Sequence, residues 1–252
     1  MSKDTNKEEA NKEEANKAVV LLSGGIDSAV VLALALHAGK ECHALSFDYG
    51  QRHASELKSA QAIAKHYNIP HKTISIAPGT FENTSLVLQG RAEQGGAEQG
   101  GTVPKNKEAS MGGFNNIPST YVPARNTLFL AYAIGQAEIL SAHEIHFGAN
   151  ALDNDAYPDC RREFFDAMQK VIDVATKQAV TERAPRLLTP IIAWDKQRII
   201  AEGTRLNAPL HLTMSCYDPA AYPIHCGSCL ACQLRKQGFA SAFLPDPTRY
   251  SS

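Results

Sequence analysis

AVVLLSGGIDSAVVLALALHAG, residues 18–39, decides the fold. AVVLL is a short, unbroken apolar run, the pattern of a strand buried on both faces of a parallel sheet. SGGIDS makes a turn. AVVLALALHAG then predicts a helix ending at Gly39. The same alternation continues outward. ECHALSFDYG (41–50) predicts a second strand, SELKSAQAIAKHYN (55–68) an amphipathic helix stopped by Ile69-Pro70, and HKTISIA (71–77) a third strand. A β-α-β-α-β order implies an α/β fold with a doubly wound parallel sheet.

Beyond residue 116 the pattern resumes. NTLFLAYAIGQAEIL (126–140) predicts a helix capped by Asn126, and EIHFGAN (144–150) a strand and turn. REFFDAMQKVIDVATKQ (162–178) predicts one strongly amphipathic helix. LLTPII (187–192) reads as a strand end or turn, and DKQRIIAEGTRL (195–206) as a helix capped by Asp195. Three segments stand apart. Residues 1–17, built on repeats of NKEEA, predict a solvated polar tail. Residues 89–116, with RAEQGGAEQGG, predict a flexible insertion within an α/β domain spanning 18–210. Residues 211–252 carry few regular signals and hold Cys216, Cys226, Cys229 and Cys232.

Composition bounds the function. The 252 residues carry 25 Lys+Arg and 26 Asp+Glu, a net charge of −1, which argues against bulk electrostatic coating of nucleic acid. The N-terminus lacks an apolar signal core, and the apolar stretch from Ala18 to Ala38 is interrupted by Ser23, Gly24, Gly25 and Asp27, so neither a secretory signal nor a membrane helix is expected. A cytoplasmic, reducing setting follows. There, clustered cysteines point to metal or redox chemistry rather than disulfides.

Two patterns carry chemistry. In SGGIDS, Gly24 and Gly25 let the backbone turn tightly and approach a ligand, and the N–H groups at the following helix start aim at the same place, with Ser23 and Ser28 as hydroxyl donors. The string lacks GK[ST] and GxGxxG, so it is neither of the commoner phosphate turns. It predicts a nucleotide pyrophosphate site, with Mg²⁺ bridging Asp27 to phosphate. The C-x9-C-x2-C-x2-C cluster suits a closed zinc site made of four cysteines. An iron–sulfur cluster, a redox dithiol and unliganded core cysteines remain open on spacing alone.

SGGIDS resembles the PP-loop of the ATP pyrophosphatase superfamily, which cleaves ATP to AMP and pyrophosphate while adenylating a substrate oxygen. SFDYGQRH (46–53), VPARN (122–126), GANALDNDAYPDCR (148–161), LTPI (188–191), Lys196, SCY (215–217) and CGSCLACQLR (226–235) together resemble one family within it, the 7-cyano-7-deazaguanine synthases of queuosine biosynthesis. The likeness runs from about Ala18 to about Phe239. It implies a carbon–nitrogen ligase that joins 7-carboxy-7-deazaguanine and ammonia at the expense of Mg-ATP, with one zinc per chain on the four cysteines. It also implies a homodimer, while the balanced charge and the lack of a membrane segment lead us to expect no nucleic-acid or membrane partner. ATP binding falls to Leu22, Ser23, Gly24, Gly25, Ile26, Asp27, Ser28, Ala29, Val30, Val31 and Leu32. Asp27, Arg125 and Lys196 become the catalytic candidates, the latter two as phosphate cations. Asp48, Tyr49, Asp159 and Arg161 become substrate contacts, and Cys160 and Cys42 core residues. Asn154-Asp155-Ala156 departs from the family's Tyr-Ser-Gly, removing an aromatic that could stack on a flat base. Two other functions compete: a PP-loop tRNA-thiolating enzyme, which would need a basic face or tRNA-binding module, and a non-catalytic nucleotide-binding module.

Overall fold

A computed structural model of the chain describes residues 16–50, 55–77, 80–81, 117, 120–181, 183–219 and 221–251. The polar tail (apart from Asn16 and Lys17), the 89–116 insertion and residues 51–53 of the SFDYGQRH string lie outside the described residues.

Five parallel strands form one sheet: β1 (Lys17–Leu21), β2 (Glu41–Asp48), β3 (His71–Ser75), β4 (Glu144–His146) and β5 (Arg186–Leu188), in the order β3-β2-β1-β4-β5. The strand order reverses at β1, which pairs with β2 on one side and β4 on the other. That gap beyond the carboxyl ends of β1 and β4 is where doubly wound sheets bind ligands.

The period of two along β1 splits the core into two layers. Val19 and Leu21 face a cluster with Leu45, Phe47 and Ile145, covered by α3 (Arg125–Leu140) and α5 (Arg162–Ala175). Val20 and Leu22 face the other cluster, built from α1 (Ile26–His37), α2 (Ser55–His66), α7 (Lys196–Arg205) and α8 (Leu230–Ser241). Val19 and Val20 are both fully buried, and each stabilises the sheet by about 1.5–3 kcal/mol. A short helix α4 (Ala151–Ala156) follows β4, and α6 (Lys177–Thr181) follows α5.

Four local expectations are corrected. Helix α1 starts at Ile26, inside the string read as a turn, with Gly25 extended as its cap. Helix α3 is not capped by Asn126. It is entered through Ala124 at φ 54°, and Asn126 is buried within the first turn, where its Nδ2 donates to Asp159 O at 3.1 Å and Cys160 Sγ at 3.2 Å. The single helix expected over 162–178 breaks at Thr176, which is extended. There the Thr176 hydroxyl donates to Ile172 O and accepts from Ala179 N, while Lys177 N donates to Glu138 Oε1, so side chains replace the helical ladder. Finally, the cysteine segment, with few regular signals in its sequence, holds a twelve-residue helix: α8 starts directly after Cys229 and carries Cys232.

Gly24 sits at φ +93°, and a Cβ there would lie 2.2 Å from the Glu56 carbonyl oxygen and 2.9 Å from Ala60 N. The turn is therefore pressed against the backbone of α2. Gly24→Ala combines a left-handed penalty with a backbone clash, and should lower stability by about 2 kcal/mol or more. A fall in the urea midpoint at unchanged slope checks this.

Candidate functional site

A cavity of about 300 Å³ opens at the carboxyl ends of β1, β2 and β4. Its floor is the phosphate turn. Ser23, Gly25, Asp27 and Ser28 line it, together with Gly148 and Ala149 from the loop after β4. The turn is held by its own hydroxyls. Ser23 N donates to Ser28 Oγ at 3.2 Å, Gly25 N to Ser23 Oγ at 3.3 Å, and Ser28 Oγ to Gly25 O at 3.1 Å. Met214 N donates to Gly24 O at 2.9 Å, docking the segment before Cys216 onto the turn.

Lys196 Nζ straddles the Asp27 carboxylate, 2.7 Å from Oδ1 and 2.9 Å from Oδ2. Asn150 Nδ2 donates to Asp27 Oδ2 at 3.0 Å, while the Asn150 side-chain oxygen caps α4 and its backbone N–H reaches Asp153 Oδ2 at 3.3 Å. Three elements on both sides of the strand-order reversal thus meet at one carboxylate. Burial and the nearby Asp27 charge push the Asp153 carboxyl up to about 6.

Above the floor the wall is aromatic. Phe47 and Phe129 stack with ring centroids 4.0 Å apart, and Tyr49, Phe147, Tyr157 and Tyr217 complete the lining. Arg125 enters this apolar wall, with Nε donating to Asn126 Oδ1 at 3.2 Å, a hydrogen bond to Tyr49, and its guanidinium over Phe129 at 5.8 Å. Burial disfavours its charge, but Tyr49, Asp159 and Cys160 more than offset that, so Arg125 stays firmly protonated. A partly buried, fixed guanidinium with no ion pair among the described residues suits an incoming anion.

Not every expected residue meets here. Of the stretch Leu22–Leu32, only Leu22, Ser23, Gly25, Asp27 and Ser28 line the cavity; Ala29, Val30, Val31 and Leu32 are fully buried in the core. Tyr49 and Arg125 line the wall, and Lys196 reaches it through Asp27. Asp48 is exposed, with Oδ1 accepting from Gly50 N at 3.4 Å, and is not part of the wall. Asp159 is buried beneath the wall, where Oδ2 accepts from Asn126 N at 3.2 Å and pins the start of α3. Arg161 is exposed and precedes α5. Burial pushes the Cys160 thiol well up, consistent with a core residue. Asn154 and Asp155 lie outside the lining, whereas Tyr157 is in it with its hydroxyl 2.7 Å from Thr120 Oγ1, so an aromatic does face the cavity from this segment. Sequence reading missed Glu56, Asp153, Phe129 and Phe147. Asp153 lies inside GANALDNDAYPDCR, which was a signal, whereas Glu56 looks like an ordinary first-turn acid.

The four cysteines converge. Their sulfurs all lie within 4.8 Å of one another, with Cys216–Cys229 and Cys226–Cys232 at 4.0 Å. A single ion with ~2.3 Å metal–sulfur bonds needs sulfur–sulfur edges of roughly 3.8 Å. Backbone N–H groups of Cys226 and Asp218 donate to Cys216 Sγ at 3.2 and 3.3 Å, and Cys229 N donates to Cys226 Sγ at 3.4 Å, stabilising thiolates. The donor set fits one closed tetrahedral ion, which favours zinc over the larger cluster or a dithiol. Cys216 and Tyr217 also line the cavity, so the metal centre and the nucleotide turn share a wall. His225 is buried, and its Nε2 accepts from Ser215 N at 3.0 Å, which holds the approach to Cys216.

Residues 17–243 match the family described as queuosine biosynthesis protein QueC. The chain is 45% identical over 236 residues to a protein of Methylococcus capsulatus named 7-cyano-7-deazaguanine synthase, covering 93% of this chain and 99% of that one. A protein of the same name from Nitrosococcus oceani is 45% identical over 235 residues, covering 93% and 98%. A solved NMN synthetase from Francisella tularensis is a distant likeness, with 20% identity, a TM-score of 0.47, and coverage of 85% of this chain and 74% of that one.

Two outcomes check the site. Cys229→Ser should hold well under one zinc per chain by metal analysis and melt at least about 5 °C lower, since ~1 kcal/mol shifts a domain of this size by 2–4 °C. Gly238→Ala should retain full zinc yet displace Lys196, because a Cβ there would come within 2.6 Å of Lys196 Cγ and 2.8 Å of Ile200 Cδ1. An activity loss of about tenfold or more with intact metal is the expected signature.

Proposed function

We infer the activity of this chain from its family: it belongs to the QueC family of queuosine biosynthesis proteins, whose relatives named above are 7-cyano-7-deazaguanine synthases. The chain converts 7-carboxy-7-deazaguanine and ammonia, with Mg-ATP, into 7-cyano-7-deazaguanine. The observation that carries this reading is the family match over residues 17–243, joined to a phosphate turn that floors an aromatic-walled cavity.

The chemistry follows from the substrates. A carboxylate resists attack, so its oxygen is first joined to the α-phosphorus of ATP, releasing pyrophosphate. Ammonia then displaces AMP to give an amide. A second activation of the amide oxygen, and its loss, leaves the nitrile. Charge therefore develops on phosphoryl oxygens twice, and fixed donors stabilise it best. We assign Ser23, Ser28 and the backbone N–H groups of the turn to the phosphates, and Arg125 to the anionic oxygens in the middle of the cavity. Lys196 is a second phosphate cation, held ready by Asp27. Tyr49, Phe129 and Tyr157 offer flat faces to a heterocycle.

Cys216, Cys226, Cys229 and Cys232 would hold a zinc ion whose contribution is structural, because four thiolates close the tetrahedron. No described helix is long and apolar enough to cross a membrane. We place the enzyme in the cytoplasm as a homodimer acting on free small molecules rather than on nucleic acid.

Incubation with 7-carboxy-7-deazaguanine, ammonium and Mg-ATP should yield AMP and a product that has lost two oxygens and gained one nitrogen by mass spectrometry. Absence of both overturns the reading. Asp27→Ala should lower kcat by about 10²-fold or more in a chain that still folds, since it frees Lys196 from its position.

A further inference from the structure

Two carboxyl residues lining the cavity, Asp153 and Glu56, have no task in that scheme; Asp153 is held by Asn150 N, Glu56 is not so held. Glu56 lies in the first turn of α2, and its backbone carbonyl presses on the phosphate turn at Gly24. Glu56 is among the residues that line the cavity. It faces Arg125 from α3, Tyr49 from the end of β2 and Tyr217 from the cysteine segment. Among the described residues no hydrogen bond engages its carboxylate, and Arg125 acts on it through space alone. Burial pushes the carboxyl up to about 7, against the pull of Arg125.

The reaction poses a problem that such a group solves. At neutral pH the nitrogen donor is ammonium, whose lone pair is occupied by a proton. It must reach a carbon beside the phosphate turn and lose that proton out of bulk water. A carboxylate at this place attracts the cation. A base poised near the working pH is also the most effective one.

We propose that Glu56 is the general base of the amidation, taking a proton from an ammonium ion bound beside it in the cavity. This rests on the activity inferred above. Ammonium gives one proton to the Glu56 carboxylate and becomes ammonia. The nitrogen lone pair forms the C–N bond to the acyl carbon of the adenylate. The C–O bond to AMP breaks, its electron pair leaving on the phosphate oxygen, and the excess proton on nitrogen passes to solvent. Glu56 returns its proton to solvent before the next turnover.

The test uses Glu56→Gln in the full chain. Adenylation without ammonium is followed as exchange of labelled pyrophosphate into ATP dependent on 7-carboxy-7-deazaguanine, and should be within about threefold of wild type, which also shows that the variant folds. Ammonium-dependent AMP release should fall about 10²- to 10⁴-fold. The deficit should shrink in alkaline buffer, where ammonium is already ammonia. Hydroxylamine, unprotonated near neutrality, should trap the adenylate as hydroxamate at near wild-type rate. In the wild type, ammonium-dependent turnover should fall as pH drops through about 7, because protonated Glu56 accepts no proton. Equal losses with ammonium and hydroxylamine, or a raised KM for the heterocycle with kcat intact, would overturn the proposal and make Glu56 a substrate-reading group. Absence of substrate-dependent exchange in the wild type would instead overturn the inferred activity.

Discussion

The Asp27 carboxylate is the point on which the rest of the site depends. Lys196 binds it through both oxygens, and Asn150 adds a third contact. These partners come from α7 and from the loop after β4, so one side chain in the first turn of α1 fixes three elements across the strand-order reversal. A carboxylate beside the proposed phosphate site would repel its ligand if left bare. With Lys196 straddling it, the pair presents little net charge and a donor already in place. The Asp27 and Lys196 side chains are 24% and 19% exposed, so solvent screens the pair only partly.

Lys196 is itself held from behind. Its stem crosses α8 at Gly238, where no larger residue leaves room, and α8 begins directly after Cys229. Arg235, fully buried one turn earlier, ties the same helix to Asp246 at 3.1 Å, Thr213 at 2.7 Å and Leu210 O at 3.0 Å. Removing one side of such a buried pair costs about 3–5 kcal/mol. The cysteine segment is therefore more than a terminal clip. It sends Tyr217 into the cavity from one end and steadies Lys196 from the other. A closed metal site with no chemistry of its own shapes the reaction site through rigid neighbours.

The fold was largely legible because its signals are local. An apolar run before SGGIDS and a helix after it need no distant partner to be read, and the doubly wound order follows from repetition. Local reading fails where tertiary contacts override local preference. Asn126 looks like a cap but is buried against Asp159 and Cys160. Thr176 ends a helix that periodicity would continue, because its hydroxyl and Glu138 offer competing bonds. The site shows the same division. The phosphate turn and the cysteines are contiguous or closely spaced, so they could be found. Glu56 becomes notable only once Gly24 has drawn α2 against the turn and Arg125 has come across from α3.

A net charge of −1 hides how unevenly charge is placed. Of the cations at the cavity, Lys196 is paired with Asp27, while Arg125 is held by neutral Asn126 and Tyr49 and keeps its charge for a ligand. Each carboxyl facing the cavity without a cation in direct contact is raised by burial, Asp153 to about 6 and Glu56 to about 7. An entering polyphosphate would raise both further, by like-charge repulsion, unless a cation came with it. Magnesium and ammonium are the two cations the inferred reaction brings. The cavity is consequently matched to a set of ligands rather than to any one of them, since its partly buried acids stay ionised beside the anionic substrate only if cations enter with it.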